Sequence, residues 1–314
     1  MKKLGVGVIG VGFWGKNHAR VFSGLENARL IAVCDLDPAK AKSIGELYNV
    51  PWDTDITKFL KRADVEAVTI CTPTTTHEDI ALKAVEAGKQ VLIEKPMANT
   101  VKGAKRILKT AEKKEAIIMV GFIERFNPAI QKAKAIIDKG EIGEVIMALA
   151  KRVSYWPERI GDVGVVKDTA VHDLDIMRWI FSEEPISVYA RAGSLSHKFE
   201  DYAEILLGFG GIKTGFVEAN WLTPYKVRTL TITGSEAILS VDYITQGIRF
   251  ETKGKNVNLT EPWKEPLMLE LKHFADCVLQ NKKPQVTGFD GLKVLEIAEA
   301  SLKSARTGKV VKLR

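Results

Sequence analysis

Three glycines near the amino terminus, Gly10-x-Gly12-x-x-Gly15, constrain this chain more than any other feature. They follow a short run rich in Val and Ile, residues 4–9, and open a helical stretch over 15–25. Strand, glycine turn and helix in that order put backbone N–H groups at a helix amino terminus, where a phosphate can be held. The first glycine permits the tight turn, the second lets the backbone approach a pyrophosphate, and the third lets the helix pack on the strand. Phe13 and Trp14 lie inside the same turn.

The surroundings make the triplet meaningful. Strand-like runs recur at 29–34, 67–71, 90–93 and 116–120, with helical stretches at 38–47, 77–87 and 100–113 between them. Such alternation predicts a parallel, doubly wound sheet. Right-handed crossovers then bring the strand carboxyl ends to one edge. The pattern changes after Gly121. Helices are expected at 128–138 and 170–181, a strand at 145–153, and a series of strands through 186–250 with turns at Gly210-Gly211, Thr223-Pro224 and Gly234-Ser235. Helical stretches at 267–279 and 290–305 close the chain. The expected fold is α/β: a Rossmann domain over 1–121, then an α/β domain over 122–314 with an open, mostly antiparallel mixed sheet. The last helices are free to pack back on the Rossmann domain.

Composition narrows the class. With 314 residues, 46% apolar and 27% charged, the chain suits a soluble globular protein of two domains. No apolar run is long enough to span a membrane, and the amino terminus lacks a signal-peptide pattern. Cys34, Cys71 and Cys277 have no metal-ligand spacing and read as small buried hydrophobes in a reducing cytoplasm. The net charge of +7 comes from lysines interleaved with glutamates, and no nucleic-acid motif accompanies it. A solvated surface and an anionic small ligand both fit that pattern better than nucleic acid does.

Asp35 ends the second strand, twenty positions after Gly15 (35 − 15). An acid there bonds ribose hydroxyls and repels a 2′-phosphate, which points to NAD rather than NADP. Capping of the following helix is the competing reading. The third strand runs into Cys71-Thr72-Pro73-Thr74-Thr75-Thr76-His77, a loop suited to pass beside the nicotinamide ribose. His77 either touches the cofactor or begins the next helix, and His18 reads as structural. The fourth strand ends in Glu94-Lys95-Pro96, at the edge where a dinucleotide binds. Lys95 is therefore placed to handle a substrate hydroxyl.

Asp168 and His172, at i and i+4 on a helix, point the same way. His172 can remove a hydroxyl proton while Asp168 binds substrate or orients a partner. Lys95 can stabilise the alkoxide or take the proton itself. Asp173 and Asp175 compete with Asp168 for the partner role. No His/Cys cluster supports a metal.

Taken in order, Gly10-x-Gly12-x-x-Gly15, Thr72-Pro73-x-x-x-His77, Glu94-Lys95-Pro96 and Asp168-x-x-x-His172 resemble the glucose–fructose oxidoreductase, inositol dehydrogenase and MocA (Gfo/Idh/MocA) family over essentially the whole length. The resemblance implies an NAD-dependent sugar or polyol dehydrogenase with Lys95, Asp168 and His172 as its catalytic set. It also implies oligomers, dimers or tetramers, built through the outer face of the second sheet. Ala170 stands where much of the family has Gly. Within the family, Gly121 to Pro128, Arg159 to Val165 and Asn220 to Arg228 resemble loops of the UDP-N-acetylglucosamine 3-dehydrogenase branch, whose ketone product passes to an aminotransferase. Lys226 and Arg228 alternate on a strand and suit a pyrophosphate, or else protect an exposed edge. Arg125, Asn127 and Arg159 join them as substrate-binding candidates, with Arg125 equally able to meet the nicotinamide. Two alternatives stand beside this expectation: a dehydrogenase of free sugars or inositol, and a non-catalytic NAD(H)-binding sensor.

Overall fold

A computed structural model describes residues 2–157 and 162–313 of the chain. Two units emerge from it. One comprises the chain as far as Phe122 together with Leu267–Lys293; the other comprises Ile123–Pro266 together with the chain from Val294 onward.

The first unit is built on a parallel sheet of six strands, β1 (Leu4–Ile9), β2 (Ala28–Cys34), β3 (Trp52–Asp53), β4 (Ala67–Ile70), β5 (Gln90–Glu94) and β6 (Ile118–Gly121), in the order β3-β2-β1-β4-β5-β6. This is the doubly wound order. β1, β4 and β6 are buried along their whole length, which is why they read as unbroken apolar runs. Two elements escape the sequence pattern, β3 and the helix Ile56–Leu60, because two- and five-residue elements are too short to show a period. The helix Pro266–Gln280 reaches this unit through Asn27, whose amide donates to Asp276 at 2.8 Å and to the Lys272 carbonyl at 2.9 Å.

The second unit carries a sheet of nine strands: β7 (Val145–Tyr155), β8 (Ser187–Gly193), β9 (Tyr202–Gly208), β10 (Thr214–Asn220), β11 (Leu222–Gly234), β12 (Ile238–Asp242), β13 (Gly247–Glu251), β14 (Asn256–Leu259) and β15 (Val311–Lys312). Their order is β14-β13-β12-β11-β7-β10-β9-β8-β15. Only β7 and β10 pair in parallel, so the sheet is mixed and mostly antiparallel, as expected. One face is buried through Ala148, Ala150, Ile205, Leu207, Val217 and Ala219, whereas Met147, Leu149, Tyr202 and Leu206 are exposed on the other. The helix expected from 170 begins earlier. A π-helical turn over Val166–Ala170 leads into the α-helix Val171–Phe181. Among the described residues no helix is long and apolar enough to cross a membrane.

Candidate active site

In the first unit the glycine turn has the geometry that a dinucleotide requires. Gly10 adopts φ +82°, and a Cβ there would press on the Thr72 backbone. A Cβ at Gly15 would collide with the Gly10 carbonyl. At Gly12 a Cβ would point into open space, so its absence leaves room for a ligand rather than for protein. The helix Gly15–Gly24 has no side-chain cap and no acid in its first turn, which leaves its positive end available to an anion. The buried indole N–H of Trp14 has no hydrogen-bond partner among the described residues. These features fit a bound pyrophosphate.

Asp35 accepts from the Val11 amide at 2.8 Å and from the Asp37 amide at 2.9 Å, which ties the second strand end to the glycine turn. The capping alternative falls to Asp37, which accepts from Ala39 and Lys40 at the start of the helix Pro38–Leu47. The local field is negative: burial, then Asp53, Asp35 and Asp55, push the neighbouring Cys34 thiol up to about 12. The same carboxylates oppose a 2′-phosphate.

His77 does begin the helix His77–Glu86, but its ring is buried and bridges two loops. Nδ1 lies 2.9 Å from the Pro96 carbonyl and Nε2 lies 2.8 Å from the Thr72 carbonyl. Thr76 Oγ1 donates to Thr72 Oγ1 at 2.7 Å, and Thr74 is buried in the turn between Pro73 and His77. Glu94 is engaged by His18, whose Nε2 lies 3.0 Å from its carboxylate, while His18 Nδ1 meets Thr69 at 2.8 Å. Burial works against charging His18, but Cys71 and Glu94 outweigh it and hold its pKa well above the usual imidazole value. Burial likewise opposes ionisation of Glu94, and the His18 and Lys95 charges overcome that and hold it low. Lys95 is buried, only 8% exposed, and its peptide bond to Pro96 is cis.

In the second unit Asp168 is buried and His172 half-buried. A π turn carries Asp168 and runs directly into the α-helix that carries His172. Asp168 is oriented by a chain of donors. Trp221 Nε1 donates to Thr169 Oγ1 at 2.9 Å, and Thr169 Oγ1 donates to Asp168 at 3.1 Å.

Asp173 and Asp175 point away from that chemistry. Arg152 grips Asp173 with Nε at 2.6 Å and Nη2 at 3.1 Å, and donates through Nη1 to Glu124 at 2.8 Å. Tyr243 adds a hydroxyl donor to Asp173 at 3.2 Å. Asp175 takes two 2.6 Å bonds from Arg125. The two acids beside His172 therefore pin its helix.

Arg125 is buried and its fork is used on Asp175, so in this structure its charge holds the helix that carries His172. Asn127 caps the helix Pro128–Asp138 and donates to the Tyr243 carbonyl at 2.9 Å, so its amide has structural partners. Lys226 and Arg228 sit in an irregular part of their strand. The ladder between β11 and β7 skips from Leu222 to Val227, which places Lys226 in a bulge, exposed. Arg228 stands opposite Arg152 in the ladder, a like-charge pair that costs energy unless screened. Glu124 supplies the screen, accepting from Arg228 at 3.4 Å as well as from Arg152. Arg159 lies outside the described residues. Among the described residues, no group of three or more His, Cys, Asp or Glu is arranged to hold a metal ion.

A six-stranded sheet in this order, with an open glycine turn and an acid ending its second strand, defines a Rossmann dinucleotide-binding protein. Residues 4–122 match the family described as "Oxidoreductase family, NAD-binding Rossmann fold", and residues 130–240 match the "GFO/IDH/MocA C-terminal domain". The chain belongs to the Gfo/Idh/MocA oxidoreductase family, and its cofactor is NAD. It is 32% identical to a scyllo-inositol 2-dehydrogenase (NAD(+)) of Bacillus subtilis, over 98% of this chain and 95% of that one. A putative myo-inositol dehydrogenase from Sinorhizobium meliloti superposes with a TM-score of 0.88 at 29% identity, covering 99% of this chain and 100% of the other. A UDP-N-acetylglucosamine 3-dehydrogenase from Acidithiobacillus ferrooxidans superposes with a TM-score of 0.90 at 24% identity, a likeness of fold covering 98% and 99%.

The acidic end of β2 has a measurable consequence. Asp35→Ser is expected to shift the ratio of kcat/KM for NAD to that for NADP toward NADP by at least about tenfold, a free-energy change of about 1.4 kcal/mol. An unchanged ratio would remove Asp35 from cofactor selection.

Proposed function

We propose that this chain oxidises a secondary ring hydroxyl of a sugar to a ketone, and that the sugar is nucleotide-linked, UDP-N-acetylglucosamine oxidised at C3. The division of labour follows the order of the chain, with NAD held by residues 1–121 and the sugar by 122–314. Bound NAD supplies the hydride acceptor for the carbinol carbon. His172 takes the hydroxyl proton, Lys95 stabilises the oxygen as it gains negative charge, and Asp168 holds a sugar hydroxyl. Thr72, Pro73, Thr74, His77 and Glu94 line or support the cofactor side, with Phe13 and Trp14 in the glycine turn.

Arg228 carries the nucleotide part of this reading. Its guanidinium is partly desolvated, and burial and the facing Arg152 lower its pKa, while Glu124, Asp173 and Asp168 lie near enough to act on its charge. Its hydrogen bond among the described residues is the long one to Glu124, an acid that Arg152 already holds more closely. A cation so placed gains from an added anion, and Lys226 stands exposed two residues away. A pyrophosphate offers that anion. The ketone formed is then the substrate of an aminotransferase. The exposed apolar face of the second sheet supports self-association of the chain.

A second reading, oxidation of a free cyclic polyol, is supported by the inositol dehydrogenase relative at 32% identity. The discriminating measurement is NADH formation with UDP-N-acetylglucosamine, N-acetylglucosamine, myo-inositol and scyllo-inositol, each with a ketone trap. Turnover confined to the nucleotide sugar is the expected result, with a loss of about tenfold or more in kcat/KM for Arg228→Met. Turnover confined to a free polyol would replace the first reading with the second.

A further inference from the structure

Lys95 stands just past the end of its strand. The ladder between β5 and β6 runs from Val91↔Ile118 to Glu94↔Gly121 and stops there. Pro96 has no N–H and cannot extend it. The backbone that carries Lys95 is therefore held by something other than the sheet.

Two histidines supply that support, one on each side. On the amino-terminal side, Glu94 accepts the Lys95 amide at 3.2 Å through Oε2, while its Oε1 meets His18 Nε2 at 3.0 Å. The carboxylate rests against Gly121, where a Cβ would stand 3.1 Å from it, so only a glycine gives it full room. His18 is itself fixed by Thr69 on β4. On the carboxyl-terminal side, His77 Nδ1 lies 2.9 Å from the Pro96 carbonyl, which accepts from it in the Nδ1–H tautomer. His18 is fully buried and His77 is 1% exposed, so water does not compete for these bonds. Both come from cofactor segments: His18 from the helix that the glycine turn opens, His77 from the helix that follows the Thr72–Thr76 loop.

We propose that His18 and His77 are positioning residues that clamp the Glu94-Lys95-Pro96 segment from its two sides and register the Lys95 ammonium against the nicotinamide end of the cofactor. The proposal rests on the reading of Lys95 as the group that handles the substrate hydroxyl. A lysine has four rotatable side-chain bonds, and a misplacement of about 1 Å at a reacting centre costs about a hundredfold in rate. Anchoring the backbone on both sides removes the largest source of such error.

Matched amide substitutions test it. A glutamine amide reproduces the reach of Nε2, and an asparagine amide that of Nδ1. His18→Gln keeps a donor for Glu94, whereas His18→Asn keeps only the Thr69 side. His77→Asn keeps a donor for Pro96, whereas His77→Gln keeps only the Thr72 side. Each pair removes one ring of similar size, so loss of packing weighs on both members. The expected result is a fall in kcat of about 10- to 100-fold for His18→Asn and His77→Gln, with KM for NAD and NAD affinity by fluorescence titration within about threefold of the parent. His18→Gln and His77→Asn are expected to recover most of the rate. Equal kcat within each pair, or a loss carried by KM for NAD, would overturn the proposal. Lys95→Met in the same assay separates the two readings. If it keeps full turnover, the role of Lys95 fails; if it abolishes turnover while the histidine pairs do not differ, only the clamp fails.

Discussion

Lys95→Met is expected to lower kcat for NADH formation by about a thousandfold while NAD affinity stays within about threefold of the parent chain. A positioned acid–base group contributes about 10²–10⁴ in rate, and loss of a donor to a developing oxyanion costs about 10²–10³. Methionine keeps the length and much of the apolar stem but has no charge and no proton to share. Lys95 is buried on a strand end in the cofactor-binding unit, in the company of an ionised Glu94, so its charge acts in a poorly solvated setting. Single-turnover kinetics with saturating NAD would check the rate, and fluorescence titration the affinity. A loss of less than about tenfold in kcat would remove Lys95 from the chemistry.

Asp173→Ala is expected to destabilise the fold by about 3–5 kcal/mol, the cost of leaving a buried ion without its partner. The Arg152 guanidinium is gripped from three sides, by both Asp173 oxygens and by Glu124, and lies 4.9 Å over the Tyr243 ring. Burial opposes its charge, yet Asp173 and Glu124 raise its pKa well above the usual value, so it stays ionised and exposed to the full penalty when Asp173 is removed. For a unit of this size the loss corresponds to a fall in Tm of roughly 6–20 °C. The double substitution Arg152→Met with Asp173→Leu is expected to recover part of the loss, because the Arg152 and Asp173 charges leave together and Glu124 keeps Arg228, at 3.4 Å, as its partner. Denaturant unfolding of the two variants beside the parent chain would check both statements. A loss under about 1 kcal/mol for Asp173→Ala would mean that Arg152 finds another partner without difficulty.

Asp173 also shows where sequence reading reaches its limit. In the chain it stands beside His172, and proximity suggests shared chemistry. A helix turns neighbours by about 100°, so adjacent residues face different directions. The structure turns Asp173 onto Arg152 and Asp175 onto Arg125, and neither pairing has a local signal: the partners lie 21 and 50 positions away. The π turn at Val166–Ala170 is equally hidden, because its residues have no composition that separates it from an ordinary helical turn.

The surroundings of Lys226 and Arg228 were hidden for a related reason. Period two holds only while the ladder is regular, and β11 breaks register between Leu222 and Val227. Thr223-Pro224 hinted at a turn in that stretch, and proline tends to interrupt a ladder. Trp221, carried in the same motif, became the donor behind Asp168 through Thr169, a link across 52 positions.

By itself the sequence determined the doubly wound sheet, the glycine turn, the acid that ends β2 and the lysine that ends β5. All four are local: buried parallel strands write continuous apolar runs, tight turns demand glycine, and strand ends fall on one edge once the crossovers are right-handed. Tertiary structure alone decided how the charges are shared. It set Glu124 between two arginines that the ladder forces face to face, turned Arg125 and Asn127 inward, and placed a histidine on each side of Glu94-Lys95-Pro96. The physical reason is that a buried charge or hydrogen bond takes whichever partner the neighbouring strand or helix presents at short range, and that choice depends on strand order and register rather than on distance along the chain.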